Sequence, residues 1–197
     1  MSGYEDLKKQ LNFLIETDKM KSIIRRSYLI DASRRENDAE HSWSLAMYVL
    51  VLSEYANEKI DVDRAVRMAI AHDLIEVYAG DTYAYDEKAN EDKEEREQLS
   101  ADKLFSILPE KQGMEFRQLW NEFEEKKTPE ALFVNSVDKL QPLMHNYLTE
   151  GISWKEGKVK KHQVEDKMSI IKHGAPKLYK VVEFILEDAV KRGLLEE

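Results

Sequence analysis

Residues 62–78 read VDRAVRMAIAHDLIEVY, and the apolar residues in this stretch recur every three or four positions. This spacing predicts an amphipathic α-helix rather than a β-strand. The predicted inward stripe consists of Val62, Val66, Ala69, Ile70 and Val77. Asp73 falls on the same stripe, where an unpaired carboxylate is costly to bury. The sequence therefore predicts that Asp73 meets a cation, a proton or strong hydrogen-bond donors.

Helical periodicity extends outward from this stretch over almost the whole chain of 197 residues, which contains only seven glycines and four prolines. The period-two alternation of strands is nearly missing. We therefore predict an all-α protein with helices near residues 4–16, 18–25, 38–57, 62–78, 89–107, 110–126, 129–149, 163–173 and 176–192. The length fits a single helical domain, residues 1–197, with a core at about 25–150 on which C-terminal helices at 163–192 pack.

Composition excludes several classes of protein. The net charge is −9, from 30 Lys and Arg against 39 Asp and Glu, so we expect no nucleic acid polymer as a partner. No apolar run approaches the roughly 20 residues that a membrane span requires, and the N-terminus lacks the pattern of a secretory signal. Cysteine is absent, which excludes thiolate metal sites, disulfides and a cysteine nucleophile. These features predict a cytoplasmic protein with no membrane partner.

Three further polar residues lie in apolar helical settings. His72 precedes Asp73, and His41 lies in the first turn of the predicted helix 38–57, which is apolar nearly all round. Asp138 borders the apolar stripe of the predicted helix 129–149. Each residue alone has a simpler interpretation, as a capping or hydrogen-bonded histidine or as an aspartate paired with Lys139 or solvent. Together they form a set of two histidines and two aspartates from three helices, a set of nitrogen and oxygen ligands that suits a divalent metal ion.

The order of these residues, His41, then His72-Asp73, then Asp138, resembles the HD-domain metal phosphohydrolase superfamily. The segments AEHSW (39–43), AHDLIEVYAGD (71–81) and VDKLQP (137–142) resemble the branch that contains the HD-domain 5′-deoxynucleotidases. The similarity runs over residues 25–147, well over half the chain. It implies an HD-type helical bundle in which these four residues hold one divalent transition metal ion, Mn, Co, Ni, Fe or Zn, with Mg also compatible.

The resemblance also implies roles for three other residues. Glu76 and Asp81 match acidic positions that act in catalysis beside the metal, and Arg26 matches an arginine that contacts the substrate phosphate. Taken alone, Glu76 would be a carboxylate paired across the bundle, Asp81 a turn residue after Gly80, and Arg26 a solvated side chain. Ser27 stands where this branch often has a tryptophan that helps to exclude ribonucleotides. The sequence therefore leaves the sugar preference open.

The activity that the resemblance implies is phosphate release from (deoxy)nucleoside 5′-monophosphates, with a small nucleotide as substrate. One alternative is a hydrolase of the same superfamily that acts on a cyclic nucleotide, a nucleoside triphosphate or an alarmone. In the alarmone pattern an aspartate follows Glu76, and Val77 occupies that place here. The other alternative is a non-catalytic helical binding protein with a structural metal. The resemblance also admits a homodimer, and we expect His145, two turns after Asp138, to lie at the surface.

Overall fold

The structure is a computed structural model that describes residues 2–197, most of them helical. The helices are α1 (Ser2–Thr17), α2 (Asp38–Leu52), α3 (Val62–Ala71), α4 (Glu76–Ala79), α5 (Glu87–Asn90), α6 (Lys93–Phe105), α7 (Glu110–Glu125), α8 (Pro129–Leu148), α9 (Ile152–Gly157), α10 (Lys161–Met168), α11 (Ile171–Gly174) and α12 (Pro176–Lys191). Two short 3-10 helices, Asp18–Ser22 and Ser53–Tyr55, flank α2. The predicted all-α class is confirmed. Within residues 2–197, no helix is both long and apolar enough to cross a membrane.

Helix α8 lies at the centre of the larger hydrophobic cluster. It begins after Thr128, whose hydroxyl accepts a hydrogen bond from the Ala131 N–H, and Pro129 occupies its first turn. It packs against α2, α3, α7, α11 and α12. Polar side chains are buried along the same helix: Asn135, Ser136, Asp138, Gln141, His145 and Asn146. Because buried polar groups need partners, this row of side chains indicates where the fold builds a polar site.

The predicted helix 62–78 is interrupted. Helix α3 ends at Ala71, a turn covers residues 72–75, and α4 begins at Glu76. The predicted inward stripe is also partly wrong, because Ile70 is 50% exposed. Met68, which was not assigned to the stripe, is fully buried. The break places His72 and Asp73 in a turn that keeps helical dihedral angles at His72 and is closed by hydrogen bonds between residues three apart.

The predicted helix 18–25 is also wrong at its C-terminal end. The chain leaves the 3-10 helix at Ser22 and forms an antiparallel hairpin of β1 (Ile24–Tyr28) with β2 (Arg35–Asn37). The pairing has a register irregularity between Ile24 and Tyr28. Within it, Arg25 and the buried Ser27 both face Glu36, while the exposed Arg26 faces Tyr83. The hairpin thus directs one of the two arginines towards the bundle.

Helix α2 begins with a capping box, in which the Asn37 side chain accepts from the Glu40 N–H and the Glu40 carboxylate accepts from the Asn37 N–H. Its inner face contributes Leu45 and Val49 to the core. The sequence suggested a central helix, apolar all round, but the outer face is exposed. That face presents large apolar side chains at Trp43, Met47, Leu50 and Val51.

The C-terminal segment packs on the same core. Helix α12 buries five residues on one face, Leu178, Val182, Ile185, Leu186 and Ala189, whereas Val181 is 40% exposed. The predicted helix 163–173 is two shorter helices, α10 and α11, and α9 was not predicted. These short helices follow α8 and complete the wall of the cavity described below.

Candidate metal centre

The fold brings the four predicted ligands together from α2, the 72–75 turn and α8. His41 Nε2 lies 2.9 Å from Asp138 Oδ1, and His72 Nε2 lies 3.0 Å from Asp73 Oδ2. The two cross distances are also short, 3.7 Å from His41 Nε2 to Asp73 Oδ2 and 3.6 Å from His72 Nε2 to Asp138 Oδ1. Two imidazole nitrogens and two carboxylate oxygens therefore surround one small volume.

Hydrogen bonds on the far side of each imidazole fix which nitrogen faces that volume. His72 Nδ1 lies 2.8 Å from the Ala69 carbonyl oxygen, which can only accept, so Nδ1 is the donor. His41 Nδ1 lies 3.2 Å from Gln141 Oε1, and the Gln141 amide nitrogen donates to Glu36 Oε1 at 2.8 Å. In both rings Nδ1 therefore carries a proton and Nε2 faces the shared volume. This orientation allows a metal ion to replace a proton at Nε2 and bind there.

The residues of this site fit a divalent cation. His72 Nε2 is buried without a hydrogen-bond partner, although it faces two carboxylates. Burial lowers the pKa of His72, but Asp73 and Asp138 outweigh burial and raise it to about 10. Burial and the Arg25 guanidinium lower the pKa of His41 to about 4. Positive charge is thus strongly favoured between the carboxylates, and a metal ion satisfies both lone pairs at once.

A second group of acids adjoins the four predicted ligands. It contains Glu76, the first residue of α4, and Asp81, both predicted from the sequence, and Asp38, which was not. Carboxylate oxygens of these three residues lie within 4.8 Å of one another. Arg25 lies among them and donates from Nη1 to Asp73 Oδ2 at 2.8 Å and to Asp38 Oδ1 at 3.1 Å.

Arg26 lies apart from the carboxylates. Its guanidinium is 5.6 Å from the centre of the Tyr83 ring, on the other face of β1. Both arginines nevertheless line the same cavity. Ser27 is only 7% exposed, and its hydroxyl donates to Glu36 at 3.3 Å. The sequence therefore identified one cavity arginine and missed Arg25, for which the alternation of a short strand would have been the signal.

The cavity above the candidate ligands has a volume of about 450 Å³, within the range of small-molecule sites. Its floor includes His72, Asp73 and Asp138. The aromatic side chains of its lining are Tyr83, Tyr85, Trp120, Phe123 and Trp154. Four lysines also line it, Lys93, Lys126, Lys139 and Lys167. With a cation bound among the acids, an anionic group beside it that is attached to a flat apolar group matches this distribution of charge and aromatic surface.

A buried polar network supports His41 from behind. Gln141 bridges His41 to Glu36, and its amide nitrogen also lies 3.2 Å from His145 Nε2. The expectation that His145 lies at the surface is wrong, because only 5% of it is exposed. Burial raises the pKa of Glu36 from 4.5 to about 7. This network was not predicted, since its members are separated by up to 109 positions in the sequence.

Comparison with known proteins agrees with this geometry. The HD-domain family matches residues 17–179. A predicted metal-dependent phosphohydrolase from Magnetospirillum magnetotacticum MS-1 has 42% sequence identity and a TM-score of 0.93, over 98% of this chain and 97% of that one. The 5′-deoxynucleotidase HDDC2 of Homo sapiens is 27% identical over 76% of this chain and 72% of its own length. The HDDC2 of Bos taurus is 29% identical over 81% and 76%. The chain belongs to the HD-domain family of metal-dependent phosphohydrolases.

Proposed function

We propose that this protein is a 5′-nucleotidase that releases phosphate from deoxynucleoside 5′-monophosphates, with one divalent ion held by His41, His72, Asp73 and Asp138. The observation that carries the proposal is the meeting of their four inward ligand atoms beside a cavity. His72, Asp73 and Asp138 line this cavity together with basic, acidic and aromatic side chains. The curated relatives named 5′-deoxynucleotidase support this substrate class. A bound ion of this kind lowers the pKa of a water molecule and polarises a phosphoryl oxygen.

The protein's own residues would bind the substrate and handle its protons. Arg26 and the cavity lysines provide positive charge for phosphate oxygens, and the guanidinium of Arg26 can donate two parallel hydrogen bonds. Asp81 and Glu76 lie beside the candidate ligands and can orient the attacking water or protonate the leaving 5′-oxygen. Tyr83 and Tyr85, which are partly exposed, offer ring faces to a nucleobase.

The test is phosphate release from a panel of deoxy- and ribonucleoside monophosphates, by protein that is stripped with chelator and reloaded separately with Mn, Co, Ni, Fe, Zn or Mg. We expect metal-dependent release from 5′-monophosphates. Asp73→Ala should lose both bound metal and turnover, whereas Asp81→Ala should keep metal and lose turnover. Equal metal loss in both variants would contradict the assigned roles. If metal is bound but no nucleotide of the panel releases phosphate, the proposed substrate class is contradicted.

We also propose that the chain acts as a homodimer through the outer face of α2. Trp43 is 69% exposed and Leu50 is 50% exposed, and both belong to the apolar face described above. Contiguous exposed apolar surface of this kind is typical of protein interfaces. Light scattering should report a dimer for the wild type and a monomer for Trp43→Glu/Leu50→Glu. A wild type that is monomeric at micromolar concentration would refute the proposed homodimer.

Two further parts complete the proposal. We propose a single domain, because α12 contributes to the same hydrophobic cluster as α2, α3 and α8. A single cooperative unfolding transition is the expected result, and two separated transitions would contradict it. We also propose a cytoplasmic location. Fractionation of the source cells tests this location directly.

A further inference from the structure

The guanidinium of Arg25 lies where the acidic side chains of the cavity converge. Its Nη1 atom is 2.8 Å from Asp73 Oδ2 and 3.1 Å from Asp38 Oδ1. The same atom is 4.0 Å from both Glu76 Oε2 and Asp81 Oδ1. One positively charged nitrogen thus faces four carboxylates, an arrangement of oxygens that otherwise surrounds a hard metal ion.

Two of these carboxylates are not fully satisfied by Arg25. Asp38 is completely buried and Glu76 is 6% exposed, yet Asp38 Oδ2 and Glu76 Oε2 have no hydrogen-bond partner. A buried carboxylate without a partner is costly, and one guanidinium cannot offset several of them. The cluster is therefore built for more positive charge, or for a more compact charge, than the arginine provides.

Asp73 lies between the two groups of acids. Its Oδ2 atom is 3.0 Å from His72 Nε2 and 2.8 Å from Arg25 Nη1. In two-metal hydrolases the two ions lie about 3.5–4 Å apart. A carboxylate oxygen that contacts a ligand nitrogen and a guanidinium at the same time has the position of an oxygen bridging two such ions. Here the second position is filled by the side chain of Arg25.

We propose that Arg25 is a built-in cation that occupies the place of a second metal ion and keeps the centre mononuclear, an inference that rests on the proposed metal centre. The guanidinium is always charged and donates in fixed directions, so it holds Asp73 and Asp38 without needing metal from solution. Its removal exposes a latent site of carboxylate oxygens from Asp38, Asp73, Glu76 and Asp81. Oxygen ligands of this kind suit Mn²⁺ or Mg²⁺.

The experiment measures metal stoichiometry, which does not depend on turnover. Protein is stripped with chelator, reloaded with excess MnCl₂, freed of unbound ion and analysed by native mass spectrometry. We expect one Mn²⁺ per chain for the wild type and two for Arg25→Ala, with the electron paramagnetic resonance signal of a coupled Mn pair only in the variant. Arg26→Ala is the matched control, because Arg26 lies on the opposite face of the same strand, and it should bind one.

Two variants complete the design. Arg25→Ala/Asp38→Asn should return to one ion, because it removes a carboxylate of the latent site. Arg25→Gln gives a second uncharged variant of similar length if the alanine variant does not fold, and it should also bind two ions. Two ions in the wild type, or one ion in both uncharged Arg25 variants, would overturn the inference. A wild type that binds no ion would instead refute the proposed metal centre, so the two failures are distinguishable.

Discussion

Replacement of Gln141 by leucine should weaken metal binding, although it changes none of the four proposed ligands. Gln141 Oε1 accepts from His41 Nδ1 at 3.2 Å, and its amide nitrogen donates to Glu36 Oε1 at 2.8 Å. Leucine preserves most of the volume but leaves the buried Nδ1–H without an acceptor. An unsatisfied buried donor costs about 1–3 kcal/mol. The ring avoids that cost by moving its proton to Nε2, which can then no longer bind a metal.

The expected magnitude follows from this competition. If the cost of about 1–3 kcal/mol falls on the metal-bound state, the dissociation constant rises by roughly 5- to 150-fold, since 1.4 kcal/mol is a factor of ten. This range includes the 10- to 100-fold losses that are typical when a group supporting a metal-bound histidine is removed. The assay is competitive titration of stripped protein with Mn²⁺ or Zn²⁺ against a metal indicator.

The matched control is Asn146→Leu. Asn146 is a buried amide on the same helix, but its nitrogen donates to the Pro142 carbonyl oxygen. This variant should bind metal as the wild type does. An unchanged dissociation constant in a folded Gln141→Leu variant would refute the reasoning, because it would show that the orientation of His41 does not depend on the amide. An equal loss in the control would show that the effect comes from general damage to α8.

Three further predictions concern charge. Between pH 4.5 and pH 7 the folded metal-free protein retains the proton on Glu36, whose pKa burial raises to about 7, while the unfolded chain has released it. The free energy of unfolding should therefore decrease by up to about 3 kcal/mol as the pH rises through this window. Urea unfolding at pH 5 and pH 8 should show this decrease in the wild type and not in Glu36→Gln. An identical pH dependence in both proteins would contradict the prediction. Chelation should lower the midpoint of thermal unfolding by about 5–10 °C relative to protein with metal at 100 times its dissociation constant, and an unchanged midpoint by calorimetry would argue against the centre. Arg26→Ala should lower kcat/KM by roughly 10- to 100-fold with metal content unchanged, whereas a loss of metal would place Arg26 in the centre instead.

The residues of the centre could be predicted from the sequence because a buried charged residue interrupts the apolar positions of an amphipathic helix. Asp73 interrupts an apolar stripe, and His41 and Asp138 lie beside two others. No local pattern shows that the three helices meet, but the order of these residues along the chain resembles a known family in which they do. The geometry of the four ligand atoms agrees with that prediction, although their metal-binding role stays a prediction.

The features that the sequence did not disclose depend on local irregularity or on distant partners. No glycine or proline marks the break between α3 and α4, so the 72–75 turn looks like continuous helix. Strand β1 has five residues, too few for alternation to outweigh the helical signal around it. The sequence therefore did not predict that Arg25 and Asp38 face the site. The exposed side of α2 was missed because an apolar residue has the same pattern in a core and at an interface.

Both irregular elements serve the same electrostatic requirement. The turn at residues 72–75 keeps helical dihedral angles at His72, and it places His72 near Asp138 and Asp73 near His41. The register irregularity of β1 lies at the second place where carboxylates meet a cation, since Arg25 contacts Asp73 and Asp38. Because buried carboxylates are costly without a cation, the contacts that these two segments provide stabilise the charge of the site.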